Sequence, residues 1–401
     1  MRRFYIMTLS LIMASLFLTG CARHMLKYDS LTKILEDAVA DSAWPGGVLM
    51  IGQGDEIIYQ QAIGYHTYSQ EKTTEINDIF DLASISKVVG TTSAVMKLVE
   101  NGQLSLDDPA VKYVPELQGP DDIQTALKRS ITVRHLLTHT AGFEPFRLFY
   151  KMDCTVEARW DSVFQSELKT KPGAQTVYSD IGLMIMGKIV ESITGMPQNE
   201  YLEKTIFAPL KMIDTGYLPD PALLDRIIPT EIKEEGLIHG YVHDENTHSL
   251  GGVAGHAGLF STILDLSRFC RMMLHDGELD GVRIFNPETI KLFTTRIDPN
   301  NSRCLGWDSP EGECSGGIYI SPHSFGHTGY TGTSLWIDTE NNVYVILLTN
   351  AVHPDRSYKY PNYFEWRQLL HSAAYEELEL TKRNHEVRLK EGWVKKFGIQ
   401  R

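Results

Sequence analysis

Residues 333–349 read TSLWIDTENNVYVILLT, two β-prone runs that turn at Glu340-Asn341-Asn342. Residues 325–331 supply a strand just before them. Far upstream, GVLMIGQGDEIIYQQAIG over 47–64 repeats the pattern, two runs around a Gln53-Gly54-Asp55 turn. Between these β regions, residues 85–101, 131–139, 181–194 and 263–276 carry apolar side chains three and four apart, and 364–378 forms a last helix. Strands at both ends of a helical middle predict an α/β (α+β) architecture. Its N- and C-terminal strands meet in one antiparallel sheet flanked by helices, with an inserted, mainly helical subdomain beside it. The sheet part is expected over about 30–80 and 280–380, the helical part over about 85–275, all within one unit covering 30–401. A cleft between the two parts is the expected site.

The 401 residues are 42% hydrophobic and 22% charged, which excludes disordered and collagen-like classes. Only the N-terminus departs from globular character. Arg2 and Arg3 precede an apolar run from Phe4 to Leu18, too short to span a membrane comfortably but suited to a secretory leader. The run ends in Leu18-Thr19-Gly20-Cys21, similar to a bacterial lipobox. Residues 1–20 are thus expected to be a lipoprotein signal peptide, Cys21 the lipidated residue, and 21–29 a tether; ordinary signal cleavage nearby is the alternative. The expected location is the cell envelope, anchored on the extracytoplasmic side of a membrane, facing the periplasm from the outer membrane in a Gram-negative cell. Loss of Arg2 and Arg3 moves the formal charge from −13 to −15, a balance that repels nucleic acid. Of the remaining cysteines, Cys270 recurs with Leu266, Phe269 and Met273 at helical spacing as a buried thiol. Cys304 and Cys314 flank a loop where a disulfide could form.

Ser84 and Lys87 form Ser-x-x-Lys at the start of a predicted helix, so the lysine amine can reach the serine hydroxyl. The same pattern recurs at Ser30/Lys33, Ser69/Lys72 and Ser166/Lys169. What singles out Ser84 is that Tyr178-Ser179-Asp180 and His327-Thr328-Gly329 follow it in order. With Leu82-Ala83-Ser84-Ile85-Ser86-Lys87, Thr132 to Gly142 (TVRHLLTHTAG) and Ala257 to Thr262 (AGLFST), these stretches make the chain resemble the serine acyl-enzyme superfamily of penicillin-binding proteins and class C β-lactamases, from about residue 30 to about 378. Val242-His243-Asp244, Gly251-Gly252-Val253-Ala254-Gly255-His256 and the run Gly326 to Thr333 (GHTGYTGT) look most similar to the branch of penicillin-binding protein 4B and N-acetylmuramyl-alanine amidase type hydrolases.

The resemblance implies an acylated Ser84, with Lys87 or Tyr178 as its base. It implies an oxyanion held by the backbone N–H groups of Ser84 and Tyr330, and Thr328 and Gly329 lining an edge strand. Peptidoglycan fragments or small esters and amides are the implied substrates. D-alanyl carboxypeptidase, muramyl-peptide amidase and broad esterase activities all stay open, as does a binding or sensor module without turnover. No cofactor is implied. Two positions depart from the family pattern. Asp180 stands where asparagine is usual, replacing an amide with an acceptor-only carboxylate that could also cap the helix at 181. His327 stands where lysine is usual, replacing a fixed cation with a group titrating near pH 6.5 unless perturbed, which bears on recognition of a substrate carboxylate. His135 and His139 read as structural residues near a helix end. His239, His243, His248 and His256 match no metal-binding frame. His243 and Asp244 are expected at the cleft, as substrate-binding groups or as stabilisers of their loop, and Trp307, Tyr330 and Trp336 as core or rim.

Overall fold

The computed structural model describes residues 29–298 and 301–390. The leader, Cys21 and nearly all of the expected tether lie outside them. Helix α1 (Asp29–Ala40) leads into β1 (Gly46–Gln53) and β2 (Glu56–Gly64). Helices α2 (Ser93–Glu100), α3 (Val133–Leu137), α4 (Asp180–Thr194) and α5 (Ile263–Leu274) follow. The chain then returns through β3 (Phe325–Gly329), β4 (Thr333–Asp338), β5 (Val343–Thr349) and α6 (Asn362–Glu377).

The five strands form one sheet in the order β3-β4-β5-β1-β2, every neighbour antiparallel. The two hairpins join along β1 and β5, with Gly47 opposite Thr349 and Gln53 opposite Val343. Their alternation divides the core. Val48 and Met50 of β1 and Tyr344, Ile346 and Leu348 of β5 point toward α2, α4 and α5. Leu49 and Ile51, with Val343, Val345 and Leu347, point toward α1 and α6. A strand covered on both faces must be apolar at consecutive positions, which is why VYVILLT shows no polar alternation. Burying each such side chain stabilises by about 1.5–3 kcal/mol relative to exposure.

Two expectations are corrected. The helix expected from residue 85 does not begin as an α-helix: a 3₁₀ turn, Ala83–Ile85, opens into wider π-type turns over Ser86–Thr92 before α2. Apolar spacings of three and four fit all three helix types, so the pattern could not separate them. Cys304 and Cys314 do not pair; both are free. The Cys304 thiol donates to the Thr294 carbonyl at 3.2 Å, whereas Cys314 sulfur accepts from the Gly316 N–H at 3.3 Å. Burial pushes both thiols up to about 12. Cys270 is buried in α5, as its spacing predicts.

Candidate active site

Ser84 sits where a short strand breaks. Phe80–Asp81 pairs with Leu259–Ser261, and the Leu82 N–H still bonds to the Leu259 carbonyl. Ala83 then takes φ +46°, a strained value for a residue with a Cβ. The Asp81 carboxylate holds that turn, accepting from the Ala83 N–H at 2.8 Å and from the His243 N–H at 2.7 Å. The chain enters the 3₁₀ turn at once, where residues three apart eclipse one another. The spacing of Ser84 and Lys87 therefore brings Lys87 Nζ 2.8 Å from Ser84 Oγ, to which it donates.

Lys87 is almost wholly buried, and its ammonium is fully engaged. Besides Ser84 Oγ it donates to the His256 carbonyl at 2.9 Å and lies 2.7 Å from Asp180 Oδ1. The Asp180 contact is a charge pair at the edge of directional hydrogen bonding. Burial alone would lower this lysine, but the Asp180 carboxylate and the Tyr178 phenol outweigh burial and hold it well above the ordinary lysine range.

Asp180 is the first residue of α4, and the cap position is Ser179. The expected capping role for Asp180 is thus corrected: its N–H goes to the Pro145 carbonyl, and its carboxylate turns to Lys87. Ser179 is placed by His139, whose Nδ1 accepts the Ser179 N–H at 3.1 Å while its ring packs 4.6 Å from that of Tyr178. The sequence placed His139 at a helix end; it lies just beyond α3, at φ +57°, and buttresses Tyr178. Lys87 Nζ and the Arg303 guanidinium lie 5.1 and 5.2 Å from the Tyr178 ring centre.

The opposite wall is β3. His327 Nδ1 lies 2.8 Å from the Thr328 carbonyl, so this nitrogen carries the proton, and the buried Nε2 has no hydrogen-bond partner among the described residues. Burial first, then the positive charges of Lys87 and Arg303, lower His327 to about 3, and the imidazole is neutral at pH 7. The unperturbed titration near pH 6.5 expected from sequence is displaced accordingly. Gly329 is required by close approach: a Cβ there would fall 2.3 Å from the Leu82 carbonyl oxygen. Thr331 and Thr333 reinforce that contact, donating to the Asp81 and Leu82 carbonyls at 2.7 and 3.0 Å. The segment 329–333 is thereby clamped to the strand that carries Ser84.

Two cavities meet at Ser84, Tyr178 and Tyr330. One, about 300 Å³, is bordered by Phe146, Leu148 and Tyr150 and by the His243–Asn246 loop. His243 and Asp244 reach it as expected, but their polar atoms are engaged within the protein. His243 Nε2 lies 2.9 Å from Glu231, and Asp244 accepts from the Thr247 N–H at 2.7 Å and meets His256 Nε2 at 2.9 Å. Burial opposes the charge on Asp244, yet His256 and Thr247 hold its carboxyl well below the usual range. This arrangement makes Asp244 the cap of the helix Glu245–Ser249 and ties it to the loop whose carbonyl receives Lys87. The second cavity, about 310 Å³, is lined by His327, Thr328 and Gly329 and by three cations that sequence reasoning missed, Arg303, Lys359 and Arg367. No motif marks them; they arrive from a loop, a 3₁₀ turn and α6.

The family model described as Beta-lactamase matches residues 31–370. A protein of Escherichia coli (strain K12) named "Putative D-alanyl-D-alanine carboxypeptidase" is 32% identical over 368 residues, covering 82% of this chain and 84% of its own. Among solved structures, a penicillin-binding protein homologue from Caulobacter crescentus superposes with a TM-score of 0.69 at 19% identity, covering 88% of this chain and 97% of that one. A mutant simvastatin synthase from Aspergillus terreus gives 0.69 at 21% identity, covering 88% and 98%. Those two likenesses show the fold. The matched span runs from α1 into α6 and takes in the Ser84 turn, the start of α4 and strand β3, so the chain belongs to the beta-lactamase family.

Proposed function

We propose that this protein is a serine hydrolase that cleaves D-alanyl peptide bonds of peptidoglycan-derived substrates through an acyl-enzyme on Ser84. The observation that carries the reading is Lys87 Nζ, 2.8 Å from Ser84 Oγ and buried, at the junction of two cavities. Because Lys87 is held as an ammonium with its donors committed, the serine proton passes to Tyr178 acting as its phenolate, with Lys87 Nζ and the Arg303 guanidinium 5.1 and 5.2 Å from its ring centre. Ser84 Oγ bonds to the substrate carbonyl carbon, and the oxyanion lies between the Ser84 and Tyr330 N–H groups. The carbon–nitrogen bond then breaks, and Tyr178 returns its proton to the leaving amine. Water, activated by the same oxygen, releases the acyl group and restores the serine.

A D-alanyl leaving group carries a carboxylate. Its recognition is supported by the second cavity, where Arg303 and the nine-tenths buried Arg367, whose Nε has no hydrogen-bond partner among the described residues, take the place of the lysine that His327 displaces. The name of the Escherichia coli relative supports the same substrate class. We also propose that Cys21 carries a lipid anchor at the cell envelope; this rests on the leader sequence and lies outside the described residues.

The test is covalent labelling with fluorescent penicillin and a fluorophosphonate, beside D-alanine release from a D-alanyl-D-alanine peptide. Ser84→Ala is expected to lose label and product with its fold unchanged. Label retained in that variant would remove Ser84 from the role. Ester hydrolysis without D-alanine release would replace the carboxypeptidase with an esterase, and labelling without turnover would leave a sensor.

A further inference from the structure

Lys359 ends the 3₁₀ turn Arg356–Lys359 and is only 2% exposed, yet among the described residues no carboxylate forms an ion pair with it. Its one hydrogen bond goes to the backbone: Nζ donates to the Tyr330 carbonyl at 2.6 Å. The same nitrogen lies 3.5 Å from the centre of the Tyr330 ring. One buried ammonium thus holds two substituents of a single α-carbon, the carbonyl and the side chain. The third is the nitrogen, whose position follows from the chirality at Cα once the other two are fixed, while the preceding peptide plane that carries the N–H is held at the Gly329 carbonyl, which accepts from the Gly332 N–H at 3.2 Å. On the far side, Thr331 and Thr333 bind the following residues to the Asp81 and Leu82 carbonyls. Residue 330 is caught between these clamps.

We propose that Lys359 is a positioning residue of the oxyanion site, orienting the Tyr330 N–H toward the carbonyl oxygen of the Ser84 adduct. This rests on the acyl-enzyme reading of Ser84 but not on a carboxylate-bearing substrate. Lys359 makes no contact with the reacting atoms; it acts through the Tyr330 main chain.

The charge on Lys359 is set by its surroundings. Burial first, then Arg367 and Arg356, push it down to about 7, with Glu231 opposing. Other groups face it from every side. Arg356 and Arg367 keep their charge at any working pH, Glu231 is held low chiefly by His243 and Arg356 against burial, and burial raises the Tyr330 phenol. Tyr360, Tyr363, Arg303 and Asp308 share the cavity, and His327 stays neutral. Loss of the Lys359 proton through neutral pH therefore ends the cation–ring contact and weakens the hydrogen bond to Tyr330.

The experiment measures kcat and KM for p-nitrophenyl acetate, which has no carboxylate, from about pH 6 to about pH 9 in wild type, Lys359→Met and Lys359→Arg. Wild-type kcat should fall on the alkaline side of neutrality. The Met variant should lose on the order of 10-fold or more in kcat, with KM nearly unchanged, as expected when an oxyanion donor is misaimed. The Arg variant, with the adjoining cavity to receive its larger head, should recover most of kcat and stay flat to about pH 9. An alkaline limb retained in the Arg variant, a loss confined to KM, or an unaltered Met variant would each overturn the proposal. Fluorophosphonate labelling of Ser84 in the same samples separates the two readings. Label at Ser84 with unaltered kinetics refutes Lys359 alone, whereas label elsewhere refutes the acyl-enzyme assignment.

Discussion

Asp180→Asn is the most informative single change, because it removes one charge from a buried contact and leaves the shape nearly intact. Asp180 Oδ1 lies 2.7 Å from Lys87 Nζ. Two unit charges at that separation attract by about 6 kcal/mol at an effective dielectric of about 20. The Asp180 side chain is 26% exposed, so water screens part of this. The portion that appears as a change in Lys87 basicity is about 1–3 pKa units, the usual effect of one adjacent opposite charge. The assay is the rate of Ser84 acylation by a fluorophosphonate as a function of pH, in a Lys359→Arg background that removes the limb assigned to Lys359. With Lys87 acting as an ammonium, the alkaline limb of the variant should move toward acid by about 1–3 pH units. If neutral Lys87 were the base, the same substitution would raise the rate as pH increases through that range. An unmoved limb, or a rising one, refutes the assignment of the proton to Tyr178. Stability should follow the same sign. The folded-state pKa of Lys87 is raised, so the pair stabilises fully below the unfolded lysine value near 10.4 and loses its contribution as pH rises through the folded value. Asp180→Asn should therefore lower Tm at neutral pH. The asparagine oxygen still turns the negative end of its dipole to Lys87, so the cost should stay below the roughly 3–5 kcal/mol of an orphaned buried charge.

His327, lowered to about 3, should add no limb to the activity profile between about pH 5 and about pH 8, and His327→Lys should raise the acylation rate of a carboxylate-bearing β-lactam relative to an uncharged ester at pH 7 by roughly 5-fold or more. An unchanged ratio would show that this position does not sense substrate charge. Cys21→Ala should move the protein from the membrane to the soluble envelope fraction while leaving Ser84 labelling unchanged; unaltered partitioning would exclude Cys21 as the attachment point.

The sheet was legible because its two hairpins carry their own turn chemistry, Gly54-Asp55 in one and Asn341-Asn342 in the other, and because strands buried on both faces have unmistakable composition. The order of Ser84, Tyr178 and His327 was legible for a different reason: their three motifs resemble, in kind and in order, those of the penicillin-binding protein and class C β-lactamase superfamily. What failed to show were tertiary approaches. Nothing in Ala83 announces a positive φ, since the conformation is imposed by Asp81 and not by a glycine. Asp180 read either as a catalytic residue of its motif or as a helix cap, and sequence did not decide between them because the ammonium that claims its carboxylate lies 93 positions earlier in the chain. Arg303, Lys359 and Arg367 belong to no local pattern, and only the folded chain brings them to Tyr178, β3 and one another.

The two departures from the family pattern make physical sense together. A buried Lys87 close to a second lysine at position 327 would place two ammonium groups around one serine, and a neutral asparagine at 180 would offset neither. Here a carboxylate stands 2.7 Å from Lys87, and the residue at 327 is a histidine that its surroundings keep uncharged. The local balance is neutral where the family pattern is doubly positive. The positive charge reappears in the cavity beside β3, on Arg303 near Tyr178 and on Lys359 and Arg367. Moving the cations from the motif to the cavity separates two duties that one lysine performs in the resemblance, helping Tyr178 carry charge and attracting a substrate carboxylate. On this account Asp180 and His327 are coupled. Restoring both family residues should lower the Lys87 pKa more than restoring either alone, because Asp180→Asn removes the adjacent carboxylate, His327→Lys adds a second ammonium, and the two changes act in the same direction.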